Sequence, residues 1–211
     1  MTSRIALAAC VLLSAVLLQF SDAGALALQL PLAVHTWWQL WTGHAVHWSP
    51  GHAVADVAVF ALLVFAATRV LNPVRLLTLV AIWCPIVAVA TASLAPWMTE
   101  YRGLSGINYA LLFMLVGLEA RRTALGRPLA AIVLVGGLLA GKLALEALGI
   151  AILPTGLPDG VAIAWQAHAA GALLGVLTAT VLRARRVRGA PSPSAEAPLV
   201  GLPAGSRASS R

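Results

Sequence analysis

The chain has 211 residues, of which 60% are hydrophobic and only 10% charged, and its mean hydropathy is +0.90. A soluble domain cannot bury that much apolar surface, so the composition excludes a soluble globular protein and points to an all-α membrane protein with several spans. A net charge of +7 would suggest a nucleic-acid partner in a soluble chain. Here the basic residues sit mostly in short connections and a C-terminal tail, where they set orientation in a bilayer, and nucleic-acid binding is discounted. Cys10 and Cys84 both lie inside apolar runs, which argues against a disulfide framework or a metal knuckle.

Residues 5–20 form an apolar run preceded by Arg4. It reads as a first transmembrane helix or as the core of a signal peptide, with Ala25-Leu26-Ala27 loosely resembling a cleavage site. The uncleaved helix is favoured, because the rest of the chain is itself a membrane bundle. The lipoprotein-like Leu7-Ala8-Ala9-Cys10 is read as chance. Residues 22–51 then make a long first connection that holds Trp37, Trp38, Trp41 and Trp48 but neither lysine nor arginine. Tryptophan gathers at the membrane–water boundary, so this segment is expected along the outer interface, partly helical, with His35, His44 and His47 as interfacial residues.

Apolar helices are expected at residues 52–70, 76–94, 104–118, 128–153 and 161–182. Residues 183–211, rich in Arg, Pro, Ser, Gly and Ala, read as a disordered cytoplasmic tail behind a six-helix domain over residues 1–182. Arg4, then Arg69 and Arg75, then Arg121, Arg122 and Arg127, then Arg183, Arg185, Arg186 and Arg188 occupy alternate connections, whereas the intervening ones hold Arg102 as their sole cation. The positive-inside rule gives six helices with both termini cytoplasmic.

In that topology three polar groups fall at one end of three helices. His52 and Asp56 lie one turn apart at the outer start of the second helix, and Ser105 begins the fourth. His168 is expected seven residues into the sixth, roughly 10 Å below its outer end. Such groups within a bilayer face a bundle interior or a water-filled cavity. A serine hydroxyl becomes a nucleophile when a base takes its proton, and His168 is the one deep histidine on another helix. Tyr109 follows Ser105 by one turn, in a position to pack on the imidazole. Gly171 and Gly175 give the His168 helix a face of small residues that admits close approach. The Ser105 N–H and His52 are candidate oxyanion donors.

Each feature has a plainer reading. Ser105 between glycines serves as a small residue at a helix–helix contact in most membrane helices. His168 could bond a backbone carbonyl or ligate haem opposite His44, His47 or His52. The histidine spacings match no zinc motif. Lys142 and Glu146, one turn apart, read as a mutual ion pair, with contact to a basic substrate segment as the alternative.

Taken together, Gly103-Leu104-Ser105-Gly106 with Tyr109, His168-Ala169-Ala170-Gly171 with Gly175, and His52-Ala53-Val54-Ala55-Asp56 resemble the active-site helices of rhomboid intramembrane serine proteases over residues 40–180. The resemblance implies a six-helix rhomboid-like bundle in which Ser105 is the nucleophile and His168 the base. It places His52, Asp56, Tyr109 and Gly103 in oxyanion and supporting roles, and calls for no metal or cofactor. Where rhomboids carry an asparagine this chain has Asp56. An ionised carboxylate cannot donate to an oxyanion, so either it is protonated by burial or, the favoured reading, it orients His52 and favours its protonated form.

Thr42-Gly43-His44-Ala45-Val46-His47-Trp48-Ser49 resembles the rhombosortase branch. That narrower likeness implies transmembrane protein substrates with a C-terminal sorting signal: a glycine-rich motif, a transmembrane segment and an arginine cluster. It also implies a bacterial inner-membrane protein whose site opens to the periplasm. The competing readings are a catalytically inert rhomboid-like protein that binds transmembrane segments, and a small transporter or haem protein.

Overall fold

The computed structural model describes residues 23–119, 127–150 and 157–188. The expected first helix over residues 5–20, both termini, the arginine-bearing connection at residues 121–126 and the tail beyond residue 188 lie outside them. The described residues are mostly helical. Short elements come first: helix α1 (Ala23–Leu26), strand β1 (Leu28–Gln29), a single 3-10 turn (Val34–Thr36) and helix α2 (Gln39–Ala45). Five long helices follow: α3 (Pro50–Ala67), α4 (Pro73–Leu94), α5 (Ser105–Glu119), α6 (Arg127–Ala147) and α7 (Trp165–Arg188), with strand β2 (Glu100–Tyr101) just ahead of α5. By length and composition α3, α4 and residues 165–184 of α7 can cross a membrane, and α5 is a shorter apolar helix. The protein is a multi-pass membrane protein.

The helix starts follow local chemistry. Ser49 accepts a hydrogen bond from the His52 N–H at 3.1 Å with Pro50 at the first helical position, and Asn72 accepts from the Arg75 N–H at 3.0 Å with Pro73 behind it. Both are side-chain caps followed by a proline whose missing N–H costs nothing there. The helices expected to begin at residues 52 and 76 therefore start slightly earlier.

Two boundaries differ more. The fifth expected helix, given to residue 153, ends at Ala147 with a turn at Gly149 of φ +77°, and residues 151–153 of the expected span lie outside the described residues. The sixth begins at Trp165 instead of residue 161. The apolar run Val161-Ala162-Ile163-Ala164 is not helical, and follows a turn in which the Val161 N–H bonds the Pro158 carbonyl at 3.1 Å. His168 consequently sits three residues into its helix, about 4.5 Å from its start, not the 10 Å expected. At its other end α7 continues to Arg188, beyond the expected boundary at residue 182.

Helix α5 lies at the centre, burying Ile107, Tyr109, Ala110, Leu111, Met114 and Leu118, and packs most extensively on α7. Glycine is what lets these two meet. A Cβ on Gly171 would fall onto the Gly106 carbonyl oxygen, and one on Gly175 onto the Ala110 carbonyl oxygen. With no side chain between them, the helices touch backbone to backbone, as small-residue faces do in membranes. The outward faces of α3, α4 and α7 carry Leu62, Phe65, Ile82, Leu173 and Leu177, exposed apolar side chains suited to lipid.

The first connection is partly helical, as expected, and is also tied to the segment ahead of α5. Strand β1 pairs antiparallel with β2, Leu28 opposite Tyr101 and Gln29 opposite Glu100. His35, Trp37 and Trp38 are exposed, in keeping with an interfacial position. His44 and His47 are not interfacial: they are 2% and 5% exposed and belong to the protein interior. The segment folds back over α4, where the Trp41 indole N–H donates to the Ala81 carbonyl at 2.8 Å.

Candidate active site

The loop into α5 is set by Gly103. Its φ of +120° is a conformation that side-chain-bearing residues rarely adopt, and a Cβ there would stand 3.0 Å from the His52 ring and 3.1 Å from an Asp56 oxygen. The Gly103 N–H donates to the Gly43 carbonyl at 3.0 Å, and its carbonyl accepts from the Tyr101 hydroxyl at 3.0 Å. Ser105 is thus delivered at the first position of α5. Its N–H lies ahead of the helix's first internal bond, from the Asn108 N–H to the Leu104 carbonyl at 2.9 Å.

Beneath that loop His44 bonds the Cys84 carbonyl through Nε2 at 2.9 Å, and its Nδ1 lies 3.4 Å from the Tyr101 hydroxyl. A carbonyl only accepts, so Nε2 carries the proton. Burial holds the His44 pKa down from its ordinary 6.5 to about 4, against the opposing pull of hydrogen bonds at Cys84 and Gly103. Burial likewise pushes the Tyr101 phenol well above its usual range. Both groups are neutral struts.

The side chains expected to do chemistry meet across α5 and α7. Ser105 Oγ is 2.8 Å from His168 Nε2. The Tyr109 ring stacks on the His168 imidazole, with centroids 4.6 Å apart and planes 7° from parallel. His52 and Asp56 of α3 line the same cavity of about 1000 Å³ as Ser105, Tyr109 and His168. Asp56 Oδ2 stands 3.4 Å from His52 Nε2 and 3.3 Å from His47 Nε2, within reach of charge attraction but not aligned as hydrogen bonds. His52 Nδ1 is buried without a hydrogen-bond partner. Among the described residues no group of His, Cys, Asp and Glu has metal-binding geometry.

Three residues enter the site that sequence reasoning placed elsewhere or passed over. His47 joins His52 around Asp56. Asn108, three residues after Ser105, donates through Nδ2 to the Asp56 backbone carbonyl at 3.0 Å and lines the cavity. Glu146 forms the expected ion pair with Lys142 through one carboxylate oxygen, but its other oxygen, Oε2, is 2.7 Å from His168 Nδ1. The signals available were a carboxylate deep in an apolar helix and an amide on the serine's own helix face. Arg102 bonds Glu100 through Nε at 2.7 Å and lies over the Trp48 ring.

A hydroxyl, an imidazole within hydrogen-bonding distance and the backbone N–H groups of a helix start are the parts needed for acyl transfer. No curated protein sequence matches the chain. The rhomboid domain family model matches residues 34–185, which takes in α2, both histidine-bearing walls of the cavity and the Ser105 loop. The chain belongs to the rhomboid family.

Proposed function

We propose that this protein is an intramembrane serine protease acting through a Ser105–His168 pair. The observation that carries the reading is the 2.8 Å contact between Ser105 Oγ and His168 Nε2 at the wall of a large cavity. Ser105 Oγ attacks the scissile carbonyl carbon while its proton passes to His168 Nε2, and the carbonyl oxygen takes the displaced electron pair. The Ser105 N–H and His52 stabilise that oxyanion, with Asp56 holding His52 and Gly103 leaving room for it. Collapse of the intermediate breaks the C–N bond as His168 returns the proton to the leaving nitrogen. Water entering the cavity reverses the sequence and frees the serine.

The substrates in this reading are membrane-anchored exported proteins, cut near a C-terminal sorting signal in the manner of rhombosortases. Support comes from residues 42–49, where the likeness to that branch lies, since His47 within it reaches Asp56. The six-helix arrangement with both termini cytoplasmic rests on the alternation of arginines along the chain, and the inner-membrane location with a periplasm-facing cavity on the likeness to rhombosortases.

The test is labelling of the detergent-solubilised protein with a fluorophosphonate serine probe. Wild type is expected to label, and Ser105→Ala and His168→Ala to abolish labelling without loss of the folded state. Absence of labelling in folded wild type would favour an inert, segment-binding member of the family and make Asp56→Asn the next variant.

A further inference from the structure

The polar cluster on α6 is a part of the cavity wall that a serine–histidine pair leaves unused. Glu146 is 5% exposed, and each of its oxygens has its own partner: Oε1 the Lys142 ammonium, Oε2 the Nδ1 of His168 at 2.7 Å. Lys142 also donates to the Tyr109 hydroxyl at 3.1 Å, and the Tyr109 ring is the one stacked on His168. The imidazole is thus held at both nitrogens and on one face. A local ion pair within α6 requires none of this, since Lys142 alone would satisfy it. A carboxylate kept in a membrane helix is costly enough that its second partner calls for a reason.

That reason lies in the tautomer. A carboxylate accepts and does not donate, so the Glu146 contact puts the His168 proton on Nδ1. Nε2 is then left with the lone pair that Ser105 must meet. Without such a partner the ring is free to carry its proton on Nε2, where it blocks the serine. We infer that Glu146 is a positioning residue of the site, holding His168 as the Nδ1–H tautomer and stabilising the imidazolium that forms when Ser105 gives up its proton, with Lys142 bracing both Glu146 and Tyr109. The inference rests on the protease reading above. The Nδ1 proton stays on His168 throughout, and Glu146 remains ionised while the Ser105 proton moves to Nε2 and on to the leaving nitrogen. The groups facing the ring are Glu146 and Lys142 from α6 and Ser105 and Tyr109 from α5, with His52, Asp56, Glu100 and Arg102 elsewhere on the cavity wall.

Two measurements test it. In wild type, ¹⁵N imidazole spectra with His168 identified by its loss in His168→Ala are expected to show Nδ1 protonated and Nε2 not. The reverse tautomer would overturn the inference. Fluorophosphonate labelling of Glu146→Gln is then expected to slow by roughly 10²–10⁴-fold. Labelling at the wild-type rate would also overturn it, while leaving the Ser105–His168 reading intact. Should Glu146→Gln not fold, the wild-type spectrum decides alone. A wild type that neither labels nor shows the Nδ1–H form removes both readings.

Discussion

The two walls that meet at His168 are built on opposite principles. Between α5 and α7 the approach is set sterically: Gly171 and Gly175 bring backbone against backbone on successive turns. On the other side α6 packs sparsely on its neighbours and reaches the site through Lys142 and Glu146. Its Leu134 and Leu138 point outward, both more than 60% exposed. In a bilayer, lipid competes equally well for apolar faces, so shape fit and polar bonds decide which helices stay together. The first wall sets the distance from Ser105 to His168; the second sets which way the imidazole is wired.

The sharpest way to break this contrast is Gly171→Ala. Its Cβ meets a carbonyl oxygen that has nowhere to go, so α5 and α7 must separate, with a loss of roughly 3 kcal/mol or more and of all serine labelling. A thermal melt in detergent alongside labelling checks it. Acid attacks the support beneath the Ser105 loop instead. His44 is neutral in the fold but takes up a proton in the unfolded chain below its ordinary pKa of 6.5. The unfolded state therefore binds more protons between pH 6.5 and 4, and stability, intact above that window, falls as pH drops through it. The loss approaches about 3 kcal/mol near pH 4. His44→Gln should flatten that part of the stability–pH curve.

The other wall should behave in the opposite sense. Replacing the ion pair by apolar residues of similar size, Lys142→Met with Glu146→Leu, is expected to change stability by no more than about 1 kcal/mol, because such swaps recover the desolvation cost of the charges. Serine labelling should nevertheless collapse. A large fall in melting temperature would show that α6 is held by these charges after all. The smallest effect belongs to the lipid-facing side: Leu138→Ala should alter stability by less than about 0.5 kcal/mol and leave labelling unchanged.

Much of the first wall was legible in the chain. Ser105 between glycines, Tyr109 one turn on, and Gly171 and Gly175 after His168 are local spacings, and helical periodicity converts them directly into faces. The second wall was not legible. Lys142 and Glu146 satisfy each other at one-turn spacing, so the sequence offers a complete explanation that stops short of His168. Only the fold reveals that a carboxylate has a second oxygen to place. His44 and His47 were misplaced for a related reason: tryptophans around them signal an interface, yet the short helix α2 turns His44 inward and the loop after it buries His47. The start of α7 was misjudged because Val161-Ala162-Ile163-Ala164 is apolar whether helical or not.

The pairing of Leu28 and Gln29 with Glu100 and Tyr101 reaches further than its size suggests. Residues 25–29 are stitched to α2 by Gln39, which donates to the Ala25 carbonyl at 3.0 Å and accepts from the Gln29 N–H at 3.1 Å, and by Thr42, which donates to the Leu26 carbonyl at 2.7 Å. These residues precede the portion that matches the rhomboid domain, yet they grip the backbone four residues before Ser105. A version trimmed to residues 34–185 would retain every side chain assigned to chemistry and still lose the clamp on the nucleophile's loop. The support of the Ser105 loop therefore begins upstream of the recognisable domain.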